Sequence, residues 1–391
     1  MPDKKPNEPL ERLDPNTKEK PKIEQLDPAK DRAYVASQWQ LMWWKFIRHR
    51  LAVISAVVIV LLYGTAIFAE FIAPYNPQRR TGNPYSGPVV PQFRHEDGFQ
   101  LRPFVYGLTS EMDMTTFRRV YVLDETEQYS LQFFVRGEPY KLFGFIPADL
   151  RLFGVEEGGA IYLMGTDQLG RDVFSRVIYG ARISLSIGLV GVVLGLILGI
   201  FFGGISGYFG GITDMVVQRI IEILRSFPSI PLWMALAAAL PADWSPILVY
   251  FGITVILSLI GWTGLARVVR GRFLSLRGED FVLAARLSGA SEARVIRKHM
   301  LPSFMSHIIA SMTLAIPGMI LAETSLSFLG IGLRPPVVSW GVLLQDAQNI
   351  HAVAMAPWLM YPGLAVVVAV LAFNFVGDGL RDAADPYSSA T

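Results

Sequence analysis

Long uncharged tracts constrain this chain more than any other feature. Residues 51–69, 183–213, 226–242, 244–266 and 352–377 carry no charged side chain, and 303–322 holds only His307. A helix that crosses a bilayer needs about 20 mostly apolar residues. The tracts therefore predict an all-α polytopic membrane protein with six transmembrane helices, the third starting near Asp214. Charged residues make up 17% of the chain, against roughly 25% in soluble domains. A formal net charge of +2 gives no footprint for a nucleic-acid binder. There is no cysteine, which excludes disulfides, zinc–thiolate sites and iron–sulfur clusters, and no metal site is expected.

Basic residues in short loops set orientation. Lys45, Arg48 and Arg50 precede the first span. Arg267, Arg270, Arg272, Arg277, Arg286, Arg294, Arg297 and Lys298 crowd the loop after the fourth. Loop 241–245 has no basic residue, and 324–351 has only Arg334. Both termini and the basic loop are expected on the cytoplasmic side, with 74–164 outside.

The chain divides accordingly. Residues 1–33 hold eight acidic and eight basic residues up to position 32 and read as a disordered cytoplasmic tail. Residues 34–50, with Trp39, Trp43, Trp44 and Phe46 among basic residues, suit an amphipathic interfacial segment; extension of the first helix is the alternative. The first span covers 51–73 and the outer insertion 74–164. Residues 165–391 hold spans two to six and the loop 267–302. In the insertion, Arg118–Leu123, Ser130–Val135 and Tyr140–Phe145 suggest three strands of a small β-rich lobe. Residues 124–127 and 136–139 read as the turns between them.

Two patterns carry mechanical meaning. Gly191, Gly195, Gly199, Gly203 and Gly207 recur every fourth residue of the second span, a bare groove for close helix packing. In the basic loop, Asp280 starts a short helix that Gly289 ends with a left-handed turn. Phe281, Ala284, Ala285 and Ser288 then share a small flat face. Ser291 caps a second helix through Arg294 and Arg297, and Pro302 suits the first turn of the fifth span.

Ala284-Ala285, Gly289 four residues after Ala285, and Leu301-Pro302 twelve after Gly289 resemble the EAA loop of membrane subunits of ATP-binding-cassette (ABC) importers. The family's glutamate before the two alanines is Leu283 here, and its isoleucine two before Leu-Pro is His299. Gly165-Thr166-Asp167-Gln168-Leu169-Gly170-Arg171-Asp172 looks like the approach to the second span in C-type oligopeptide and dipeptide permeases. Ser327-Phe328-Leu329-Gly330-Ile331-Gly332, Ser339-Trp340-Gly341 and Gly377–Asp382 are similar to later segments of the same family.

The resemblance implies half of a translocation pathway in a bacterial inner membrane. It implies coupling to an ATPase through Asp280, Phe281, Ala284, Ala285, Arg286, Ser288, Gly289, Leu301 and Pro302. Gly165, Thr166, Asp167, Gly170, Arg171 and Asp172 would form the outer entrance. The implied partners are a homologous second permease, two ABC ATPase subunits or a fused pair, a periplasmic solute-binding protein and membrane lipid. ATP and magnesium would bind those ATPases. This chain has no Gly-Lys pair for a phosphate loop, so no cofactor or enzymatic site is expected in it. Peptide is the expected cargo, with oligosaccharide, opine or nickel complex as alternatives, and no substrate-binding residue can be named. An ion-coupled transporter would show broken helices and inverted repeats, neither of which the sequence displays.

Overall fold

The computed structural model describes residues 37–95, 98–114, 117–241 and 243–384; the tail expected over 1–33 lies outside them. Among the described residues five helices are long and apolar enough to cross a membrane: Arg50–Ile67, Val173–Phe209, Pro246–Leu276, Met305–Phe328 and the stretch Pro357–Ala384. They are the first, second, fourth, fifth and sixth spans. Between the second and fourth, Gly211–Ser226 and Ser229–Ala238 meet at an 86° bend. The straight helix expected there is broken because Phe227 precedes Pro228 and is extended (φ −86°, ψ 137°), the conformation a following proline imposes. One end of this pair is tied to the fourth span by Asp214 and Arg270. Its other end faces Ile331–Val337 across a cleft near the start of that span. The pair therefore runs from one end of the bundle to the other and completes six crossings.

Two spans outrun their uncharged tracts because ionisable groups inside them are partnered. The second begins at Val173, where the Asp172 carboxylate accepts from Ser175 N at 2.7 Å. It includes Arg176, paired with Asp167, and Arg182, paired with Glu70. The fifth continues past Glu323, which is held by serine hydroxyls. The main core joins Leu185 and Ile187, Ile253 and Leu257, Ile320 and Leu326, and Phe373, from the second, fourth, fifth and sixth spans. Before the first span, a helix over Gln38–Arg48 opens with a Ser37/Gln40 capping box and ends at His49 (φ −82°, ψ 89°). His49 Nδ1 then accepts from Ala52 N and starts the first span. Phe46 packs with Ala52 and Ala383, while Trp39, Trp43 and Trp44 are exposed.

The insertion holds four antiparallel strands in sequential order: β1 Gln92–His95, β2 Gly98–Asp113, β3 Arg118–Leu142 and β4 Ile146–Val155. The three tracts expected as separate strands lie instead along β3, up to its turn at Phe143. The residues expected to reverse the chain form bulges. Tyr106 pairs with Gln128 but Gly107 with Asp124; Arg136 pairs with Leu150 and Tyr140 with Ala148. Asp124 still performs its turn chemistry, accepting from Thr126 N at 2.9 Å. With β2 and β4 available as partners, an irregularity absorbs those extra residues.

Candidate functional site

The loop between the fourth and fifth spans contains a short helix, Asp280–Leu287. Glu279, extended at ψ 146°, is its N-cap, and Asp280 is its first helical residue. Its far end is a complete Schellman motif. Gly289 has φ +77°; its N–H donates to Arg286 O, and Ala290 N donates to Ala285 O at 3.1 Å. After Ser291 at the next N-cap, only Glu292–Arg294 is α-helical, and Val295–Met300 widens to a π-helix. Val295 and Met300 are both fully buried, and the wider winding brings these positions, five apart, towards one side. Pro302 lies in a short turn, Leu301–Ser303, separated from the fifth span by Phe304.

Val282 is the short helix's anchor, fully buried against Phe273 of the fourth span, Val295, Met300 and Phe304. Ala285 and Leu301 pack on this cluster, and Phe273 meets Phe304 edge to face at 5.7 Å. The Arg286 guanidinium stands 4.9 Å from the ring centroid of Tyr208, in the second span. A contact of this type is worth about 0.5–1 kcal/mol when exposed. The helix is thus tied to three spans. Its outward face differs by one position from the expected one. Phe281, Ala284 and Ser288 are exposed, but Ala285 is half-buried inward, and Leu287 is 90% exposed. Leu287 was missed because the family spacing directs attention to the alanines. The bare heptad rule places Leu287 three residues after Ala284 and beside Ser288.

The glycine row faces the fourth span, and its clearance narrows towards the loop end. A Cβ on Gly191 would lie 3.5 Å from Met319 Sδ and Ser258 Oγ, and one on Gly195 3.8 Å from Trp262 N. On Gly199 it would lie 3.0 Å from Leu265, on Gly203 it would strike the Ala266 carbonyl, and on Gly207 it would lie 2.6 Å from Arg270 O.

At the opposite end, the Gly165–Asp172 segment is a buried knot. Gly165 and Gly170 take φ +66° and +69°. Thr166 Oγ1 accepts from Ser86 N and donates to Asn83 O, and its carbonyl accepts from Trp358 Nε1. Asp167 accepts from Leu169 N, Arg171 N and Arg171 Nε and also pairs with Arg176. Burial pushes the Asp172 carboxyl up to about 7 despite its bond from Ser175.

A second polar centre lies beside this knot. Ser184, Ser327 and Ser339 all donate hydroxyl hydrogens to the fully buried Glu323. Each serine oxygen in turn accepts a backbone N–H, from Trp340, Leu333 and Val342 respectively. These amides fix the direction of the hydroxyls and lock the segment after the fifth span onto the second. The tail-ward signal available in sequence was a serine four residues after Glu323. Arg219, Glu222 and Arg225, on the first helix of the broken third crossing, are exposed, the first two as an ion pair. Among the described residues no group of three His, Cys, Asp or Glu could hold a metal ion.

Comparison with known proteins agrees with this geometry. Residues 186–388 match the family described as binding-protein-dependent transport system inner membrane component. Residues 37–88 match the N-terminal TM domain of oligopeptide transport permease C. The chain is 41% identical to the dipeptide transport system permease protein DppC of Bacillus subtilis (strain 168), covering 58% of this chain and 69% of that one. It is 40% identical to the oligopeptide transport system permease protein OppC of Haemophilus influenzae, covering 58% and 70%. A putative peptide permease protein of Brucella suis is 37% identical over 63% and 79%. With more than half its length inside the matched family region, this chain belongs to the family of binding-protein-dependent transport system inner membrane components, the permease subunits of ABC importers.

Proposed function

We propose that this permease carries peptides, and that the Asp280–Leu287 helix is where ATPase motion enters it. The single observation that carries the second point is the display of Phe281, Ala284, Leu287 and Ser288 on a helix whose other side is packed under three spans. Phe281, Leu283 and Leu287, all exposed on this one short helix within a basic loop, make an apolar surface that favours burial against another protein. A push on such a helix moves the ends of the second, fourth and fifth spans together. Peptide as cargo is supported by the names of the relatives; their shared ancestry does not select a peptide length.

The partners follow from the family: a homologous second permease to close the pathway, two ABC ATPases or a fused pair with ATP and magnesium, and a solute-binding protein at the insertion end. The loop lies on the cytoplasmic side in this reading. The test is reconstitution in liposomes with and without ABC ATPase subunits from the same organism. Peptide uptake and ATP hydrolysis should require those subunits, and hydrolysis by the isolated chain would overturn the reading.

A further inference from the structure

Residues 89–185 lie outside both matched family regions, and the family accounts for nothing in the β3–β4 hairpin. Its tip runs Leu142-Phe143-Gly144-Phe145-Ile146-Pro147-Ala148, uncharged throughout. Phe145 N donates to Leu142 O at 3.3 Å, and the two residues between them, Phe143 and Gly144, have φ +55° and +82°. Two left-handed central residues mark the tight hairpin turn that normally opens with Asn, Asp or Gly. Phenylalanine there costs about 1–2 kcal/mol.

The tip does not project into open space away from the bundle. The Phe143 ring lies 5.9 Å from that of Phe68, and Phe134 lies 6.3 Å from Phe71. Phe143 also borders a recess with Tyr63, Ala66, Ile67 and Leu185, side chains of the first and second spans themselves. Arg151, almost fully buried, fixes this placement by donating to Ala73 O at 2.7 Å and stacking on Tyr140. Between hairpin and span lies a cleft of about 580 Å³, bounded by Phe68, Phe71, Tyr140, Leu142, Leu150 and Leu152 among others, all apolar or aromatic. Phe145 is 73% exposed beside it. Val57, Val60, Leu61, Ile67 and Phe68 are exposed on one face of the first span, the face a bilayer must cover. The hairpin tip continues that face.

We infer that the β3–β4 hairpin is a second membrane anchor, its tip seated in the leaflet at the insertion end and acyl chains filling the cleft against the first span. Phe143 and Phe145 supply the aromatic contact that suits the interface, and Lys141 reaches back to headgroups. The anchor adds to the contacts by which Arg151, Phe143 and Phe134 hold the insertion against the bundle.

The cysteine-free chain permits a direct test. Single variants Phe145→Cys, Leu150→Cys, Val57→Cys and Phe117→Cys carry a nitroxide label on the full chain in lipid nanodiscs. Collision with oxygen, which concentrates in lipid, is compared with collision with a water-soluble nickel chelate. Phe117, at the far end of β3, is equally apolar and 74% exposed, so it controls for hydrophobicity alone. Labels at 145, 150 and 57 should favour oxygen, and the preference should invert at 117. Nickel preference at 145 and 150 overturns the anchor. Shielding of both from either reagent, which would mean a protein covers the tip, overturns it equally.

Discussion

The knot at Gly165–Asp172 and the crossbar at Asp280–Leu287 lie at opposite ends of one bundle and are built by opposite rules. In the knot, charges turn inward. Asp167, Arg171 and Arg176 are nearly inaccessible and are bonded to one another. In the crossbar, Phe281, Leu283 and Leu287 turn outward, while Val282, Ala285 and Arg286 hold the helix in place. A buried ionic knot resists rearrangement because separating its charges in a low-dielectric interior is costly. A helix with one deep anchor and an open face can be gripped and moved. In the proposed function the insertion end of the second span is the fixed point and the loop end is the one that receives force.

Removing the acceptor at the centre of the knot should have the largest effect. Asp167→Ala leaves Arg171 and Arg176 buried without their carboxylate, a loss of about 3–5 kcal/mol. Thermal unfolding followed by size-exclusion chromatography should show a strongly destabilised protein. A melting temperature equal to that of the native chain would mean the knot is not the rigid end.

The pH response probes the same end more gently. Asp172 has an ordinary value of 3.8 raised to about 7 in the fold. Between those values the folded state holds the proton more tightly than the unfolded one. This group's contribution to stability is therefore present at low pH and lost as pH rises through that window, by at most about 1.4 kcal/mol per unit. Asp172→Asn keeps the helix cap and should remove that part of the slope in melting temperature against pH. An unchanged slope would assign it to other groups.

The glycine seam links the two ends and should grade between them. Gly203→Val drives a side chain into the Ala266 backbone and should cost about 1–3 kcal/mol or more. Gly191→Ala meets Met319 and Ser258 at ordinary contact distance and should be neutral or slightly stabilising. Equal melting temperatures for the two variants would remove the gradient.

The sequence disclosed what depends on spacing and hid what depends on partnership. Uncharged tracts located the spans, and Gly289 located the end of the crossbar, because a left-handed cap needs that residue. Arg176, Arg182 and Glu323 concealed the true helix limits, since a charge reads as a boundary until its partner is seen. Asp167 pairs with Arg176 nine residues on, and Glu70 with Arg182 more than a hundred residues away. Pro228 was visible, yet its effect, a broken third crossing, had to be weighed against an uncharged tract that ran straight through it. In β3 the turn residues were real, but competition from two neighbouring strands converted reversals into bulges. Leu287 was obscured by a motif: the family alanines mark where the helix is, and burial decides which of its sides is free.

The last test separates stability from coupling at the crossbar itself. Gly289→Ala finds open space around its new methyl but must hold φ +77°, a strain of about 1–2 kcal/mol that loosens the Schellman turn. Leu287→Asp changes a side chain that is 90% exposed, so its effect on folding should stay within about 0.5 kcal/mol. In the assembled transporter, cargo-stimulated ATP hydrolysis should fall in both variants, and further in Leu287→Asp although its melting temperature is the closer to native. A carboxylate can fold at that position but cannot be pressed dry against a partner without a charge to meet it. Stimulation that instead tracked melting temperature would make the crossbar a structural cap, and the contrast between the two ends would be one of packing alone.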